Sequence, residues 1–141
     1  MRIVILVGAL VLSAGALADG KTEAKYRSHV MGAIGQTMQA LGTIARGGVH
    51  AENMKAHAAI MVQLAGLAPH VFPKGSGGGE SEAKPAVWDD APGFAKAMDR
   101  FVEAAAEFDR SAKAGGDVGS AMGDLGRSCK GCHDDYREEH D

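Results

Sequence analysis

Residues 117–138 read DVGSAMGDLGRSCKGCHDDYRE. Within them Val118, Ala121, Met122, Leu125, Cys129, Cys132 and Tyr136 recur at helical spacing and share one face, with Asp117 placed to cap the first turn. A helix with one apolar face needs partners that present the same pattern, and three such stretches precede it. Residues 92–113 place Phe94, Phe101 and Phe108 seven apart, with Met98 and Ala105 between them, a proline in the first turn and Gly115-Gly116 beyond the end. Residues 51–67 carry Met54, Ala58, Met61, Leu64 and Ala65 on one face before Pro69 and Pro73 end regular structure. Residues 22–45 carry Tyr26, Val30, Met31, Ile34, Met38, Leu41 and Ile44, with Gly47-Gly48 as the stop.

Sustained period-two alternation is missing, and Ala, Met, Leu, Glu and Lys dominate, so the expected class is all-α. Residues 74–90 hold Gly75, Gly77-Gly78-Gly79 and Pro85 and read as a long surface connection, whose end Trp88 is expected to pin to the helices. Four helices joined by short turns and one longer crossover bury their faces most simply as an antiparallel up-down four-helix bundle.

The N-terminus has a single early charge, Arg2, an apolar run, and small residues ending in Ala16-Leu17-Ala18. That is a signal-peptide layout, with cleavage expected after Ala18, export to the periplasm and a single mature domain over residues 19–141. The formal net charge is −3, one unit more negative without Arg2. An acidic chain with no stripe of Lys and Arg has nothing to offer a phosphate backbone, so nucleic acid is excluded as a partner. The mature chain is expected to carry no membrane span.

The chain has two cysteines, both within Cys129-Lys130-Gly131-Cys132-His133. C-x-x-C-H is the c-type haem attachment pattern. Thiols at i and i+3 lie one turn apart on one helix face, where each can add to a vinyl group on the same edge of the ring, and the adjoining imidazole suits an axial position on the iron. Rival readings are a thioredoxin-like dithiol, which normally accompanies a βαβ pattern, a zinc site, which needs further ligands, and a plain disulfide. The haem reading leads, with one covalently attached haem c, Cys129 and Cys132 as thioether positions and His133 on the iron. His29, His50, His57, His70 and His140 show no compact spacing that suggests a second metal centre.

With the motif near the end of a four-helix exported chain, the sequence resembles the class II c-type cytochromes, that is, cytochrome c prime and its low-spin relatives. The likeness is carried by Lys25-Tyr26-Arg27, by the Gly-rich loop leading to Ala86-Val87-Trp88, and by the run from Ser128 through Cys129, Cys132 and His133 to Arg137. The resemblance implies that the first helix covers the other haem face. There Met31 stands where low-spin members supply a second axial ligand, and Arg27 stands where an arginine meets a haem propionate, a solvated surface arginine being the alternative reading of that residue. The stretch 31–42 looks more like the low-spin branch. Met38, two turns after Met31, is an alternative ligand or core filler. Family members often pair as homodimers through helices one and two.

Two functions follow as expectations. With His133 and Met31 both bound, the iron is six-coordinate and low-spin, suited to electron transfer with a redox partner the sequence does not identify. If Met31 only shields the face, the iron is five-coordinate and high-spin and binds small gases such as nitric oxide or carbon monoxide. Enzyme activity is not expected, because residues 30–35 offer no acid–base group over the iron.

Overall fold

The computed structural model describes residues 20–78 and 81–139. The expected leader, residues 1–18, lies outside them, as does His140. The chain folds as an antiparallel four-helix bundle built on α1 (Gly20–Gly47), α2 (Met54–Leu67), α4 (Ala91–Ala114) and α5 (Val118–Tyr136), with a single-turn helix α3 (Ala86–Asp89) inside the crossover. No strand occurs among the described residues, and none of their helices is long and apolar enough to cross a membrane.

The ends follow the local chemistry. Gly115 closes α4 at φ 69°, the left-handed region that glycine enters without steric cost. Asp117 caps α5, its carboxylate accepting from the Ser120 amide at 2.9 Å. The start of α4 lies slightly upstream of the expected one, because Asp90 supplies the cap and accepts from the Gly93 amide at 3.2 Å. The first turn expected of the second helix is instead a 3₁₀ turn, Ala51–Asn53.

The core runs along the expected stripes. Phe94, Met98, Phe101, Ala105 and Phe108 of α4 are all buried, facing Ala58, Met61 and Ala65 of α2 and Ala121, Leu125 and Tyr136 of α5. On α1 the stripe differs by one member. Tyr26 is 51% exposed, while Arg27, at 5%, joins Val30, Ile34, Leu41 and Ile44 on the buried face. Arg27 stands seven and fourteen residues before Ile34 and Leu41, at a seam position, whereas Tyr26 is rotated by about 100° from it.

Helix packing is sequential, α1 on α2, α2 on α4 and α4 on α5, and α1 and α5 make no comparably close backbone approach. Between them lies a cavity. The crossover is fixed along its length: Trp88 Nε1 donates to the Phe72 and Pro73 carbonyls at 3.1 and 3.2 Å, as its expected pinning role requires. Further on, Ala83 forms an isolated antiparallel bridge with Arg137, beyond the end of α5.

Candidate functional site

The cavity has a volume of about 500 Å³. Met31, Gly32, Gly35 and Met38 of α1 form one wall, and Cys129, Cys132, His133 and Tyr136 of α5 form the opposite one. Phe94, Met98 and Phe101 make the floor on α4, and Ser81, Glu82 and Ala83 of the crossover form a further edge. The structure thus brings every residue singled out in the sequence, Arg27 and Met31 included, onto one cavity.

Cys129 and Cys132 are free thiols, so no disulfide joins them. Burial pushes both above the ordinary thiol range, and Cys132, with the Cys129 sulfur also nearby, reaches about 11. Both therefore stay protonated near neutral pH. The His133 ring is partly open to solvent. Burial of the rest, reinforced by Arg137, lowers its pKa, which favours the neutral imidazole whose nitrogen lone pair can bind a metal. Among the described residues no three His, Cys, Asp or Glu side chains gather closely enough to hold a metal ion, so the zinc reading of the cysteines lacks ligands.

The remaining walls suit a flat apolar ring. A Cβ built on Gly35 or Gly32 meets nothing within 4 Å, so the α1 backbone is bare where it borders the cavity. Phe72, Phe94 and Tyr136 form a chain of edge-to-face contacts, with ring centroids 4.8 and 5.3 Å apart. Tyr136, expected to be a purely apolar flank, also donates its hydroxyl to Asp90 at 2.9 Å, an interaction that helical periodicity could not reveal. A donor set of two thiols one turn apart with an adjoining imidazole, on an apolar cavity of this size, fits a covalently bound haem.

Arg27 is tied to the crossover by its guanidinium. Nη1 donates to the Val71 carbonyl at 3.1 Å and to Ser76 Oγ at 2.8 Å; Nη2 donates to the Ser76 carbonyl at 2.7 Å and to Ser81 Oγ at 2.6 Å. The guanidinium also lies over the Phe72 ring, 5.0 Å from its centroid. Its four terminal N–H groups serve the crossover, while the residue also lines the cavity. A solvated surface role is excluded by its burial.

The model describing the family Cytochrome C′ matches residues 22–137, from the start of α1 to the end of α5. The chain belongs to this family. The cytochrome c′ of Pararhodospirillum photometricum is 36% identical over 122 residues, covering 81% of this chain and 94% of that one. The crystal structure of cytochrome c′ from Rubrivivax gelatinosus superposes with a TM-score of 0.79 at 32% identity, covering 86% of this chain and 98% of that one. A ferrous variant of cytochrome c prime from Alcaligenes xylosoxidans with bound NO superposes with a TM-score of 0.81 at 28% identity, covering 87% and 98%. As a family member the chain carries a covalently attached c-type haem, and Cys129 and Cys132 are its two cysteines.

These relatives correct one expectation. The sequence reading made Met31 a second iron ligand in a low-spin electron carrier, on a likeness to the low-spin branch. The family is that of cytochrome c′, and a solved relative holds nitric oxide, which agrees with the gas-binding alternative and overturns the His/Met electron-transfer reading. The physical reason the sequence misled is that a half-buried methionine on the cavity wall is what both readings require.

Proposed function

We propose that this chain is a periplasmic cytochrome c′ whose haem is five-coordinate and high-spin and binds small gases such as nitric oxide and carbon monoxide. In this reading Cys129 and Cys132 hold the ring and His133 supplies the axial bond. The observation that carries it is the composition of the cavity: among the described residues lining it His133 is the sole imidazole, and the facing wall on α1 is built from Met31, Ile34, Met38 and small residues, with Arg27 engaged by the crossover. The haem supplies an iron that takes a diatomic ligand. The chain supplies the rest. Met31 narrows the space opposite His133, the bare backbone at Gly32 and Gly35 lets the wall lie close, and partial desolvation lowers the His133 pKa, which favours the neutral imidazole. No carboxylate or imidazole stands on the α1 wall, which supports binding over catalytic turnover.

Two accompanying properties belong to the same proposal. The N-terminal layout supports export, with a signal peptide ending at Ala18. Exposed Tyr26 on α1 and exposed Ile60 and Leu67 on α2 are apolar surface of the kind a homodimer buries.

The test is spectroscopic. Purified ferric protein should give high-spin optical and electron paramagnetic resonance spectra, and the ferrous protein should bind carbon monoxide. Met31→Ala should speed carbon monoxide binding while leaving the ligand-free spectrum high-spin. A low-spin ferric spectrum with a methionine–iron charge-transfer band that disappears in Met31→Ala overturns the proposal.

A further inference from the structure

Arg27 and Ser81 do more than fill space. Segment 81–84 reaches from α1 to the end of α5 across one edge of the cavity, and each end is tied. At the α1 end Ser81 Oγ accepts from Arg27 Nη2 at 2.6 Å and from the Ala83 amide at 3.2 Å. At the α5 end the Lys84 amide donates to the Tyr136 carbonyl at 3.0 Å, the Glu138 amide donates to the Glu82 carbonyl at 2.8 Å, and Lys84 Nζ donates to the Asp134 carbonyl at 2.9 Å. Ser81, Glu82 and Ala83 line the cavity while Glu82 is exposed, which puts the segment at the rim. Since α1 and α5 flank the cavity without packing closely on each other, this crossing joins the cavity's opposing walls.

Arg27 suits that duty. Its planar fork engages acceptors on Val71, Ser76 and Ser81 together, and the Ser76 hydroxyl in turn donates to the Pro73 carbonyl at 2.8 Å. Moving the segment therefore means breaking a part-buried charge-assisted bond, not merely displacing a loop.

We propose that Arg27 and Ser81 are positioning residues that hold segment 81–84 as a crossbar at the rim, and that the crossbar sets how fast a diatomic ligand enters and leaves. The rate part rests on the gas-binding reading. Every crossbar bond joins one protein segment to another, so loosening them should lower the entry and exit barriers alike and leave the affinity where it was.

The experiment uses holoprotein with carbon monoxide as the probe. Ser81→Ala and Arg27→Gln should raise association and dissociation rates by a common factor, roughly tenfold for one charge-assisted hydrogen bond. Equilibrium affinity and the ligand-free spectrum should stay unchanged. Arg27→Lys should fall short of rescue, because one ammonium cannot span the four acceptors. In the same variants, hydrogen exchange at the Lys84 and Glu138 amides should quicken. Faster exchange with unaltered carbon monoxide rates overturns control of entry; unaltered exchange overturns the positioning role itself. If Arg27→Gln fails to fold, Ser81→Ala carries both measurements. A wild-type protein that binds no carbon monoxide defeats the gas-binding reading and the rate claim with it, while amide exchange still decides for or against the crossbar.

Discussion

Gly93→Ala should be destabilising where helix propensity alone says the opposite. A Cβ at this position falls 2.6 Å from Tyr136 Oη and closer still to Asp90 Oδ2, inside contact distance of both. The same Asp90 carboxylate caps α4 through the Gly93 amide, so the methyl drives it from a bond it holds to its own residue. Forced overpacking costs about 1–3 kcal/mol, and loss of the cap is about 1 kcal/mol of that order. Against this, alanine gains roughly 0.5–1 kcal/mol over glycine in a helix. The net expected loss is about 1–2 kcal/mol, a fall of roughly 4–8 °C in melting temperature for a domain of this size. Repeating the substitution in an Asp90→Ala/Tyr136→Phe background removes both obstructing oxygens. There Gly93→Ala should change sign and stabilise by about 0.5–1 kcal/mol. Urea unfolding of the four holoproteins, followed by far-ultraviolet circular dichroism, closes the cycle. An effect of equal sign and size in both backgrounds would refute the steric account of why glycine stands here.

Phe108→Ala should cost about 3–5 kcal/mol in the same unfolding assay, since Phe108 is wholly buried where α4 meets the core; a loss under about 1 kcal/mol would mean the core had collapsed around the site. In chain made without haem, iodoacetamide should modify Cys129 ahead of Cys132, with both rates rising toward alkaline pH and Cys132 still climbing near its pKa of about 11. Peptide mass spectrometry reads the order, and equal rates at neutral pH would contradict the burial difference. Burial and the Asp90 carboxylate raise the Tyr136 pKa, so the folded state holds this proton more tightly than the unfolded state. That contribution is intact below about pH 10 and is lost as pH climbs past it, so alkaline melting should be less steep in Tyr136→Phe. Identical slopes would count against the assignment.

Much of the bundle was legible because its rules are local. The heptad of Phe94, Phe101 and Phe108, the Asp117 cap and the Gly115 stop each act within a turn or two, and the structure reproduces them. The motif at Cys129, Cys132 and His133 was equally local. What escaped involved partners far apart in the chain. Arg27 is buried although a charge counts against a core stripe, and its seam position relative to Ile34 and Leu41 is the signal that it points inward. Its acceptors on Ser76 and Ser81 lie in the loop, where no periodicity operates. Asp90 caps α4 through an amide three residues on, but nothing local pairs the same carboxylate with Tyr136, 46 residues away. Met31 shows a different limit: its place on the cavity wall was foreseen, whereas whether a thioether there binds iron or merely crowds it depends on chemistry that its identity does not encode.

The cavity itself is a product of residues that decline to fill it. A bundle helix with a full apolar stripe would knit to each neighbour, and α4 does so against both α2 and α5. On α1 the side facing α5 is instead lined by Ala24, Ser28, Gly32 and Gly35, with Met31 among them. Gly32 and Gly35 each weaken the helix by about 1 kcal/mol relative to alanine, so retaining them has a cost that packing against α5 does not repay. The two helices do meet further along, where a Cβ on Gly126 would lie 3.7 Å from Met38 Cε. They therefore touch at the Met38 end and stand apart beside Cys132 and His133, where the crossover bridges the gap through Arg27 and Arg137. Small side chains on α1 open the space, the thiols and imidazole of α5 give it its chemistry, and the crossbar keeps the two walls in register.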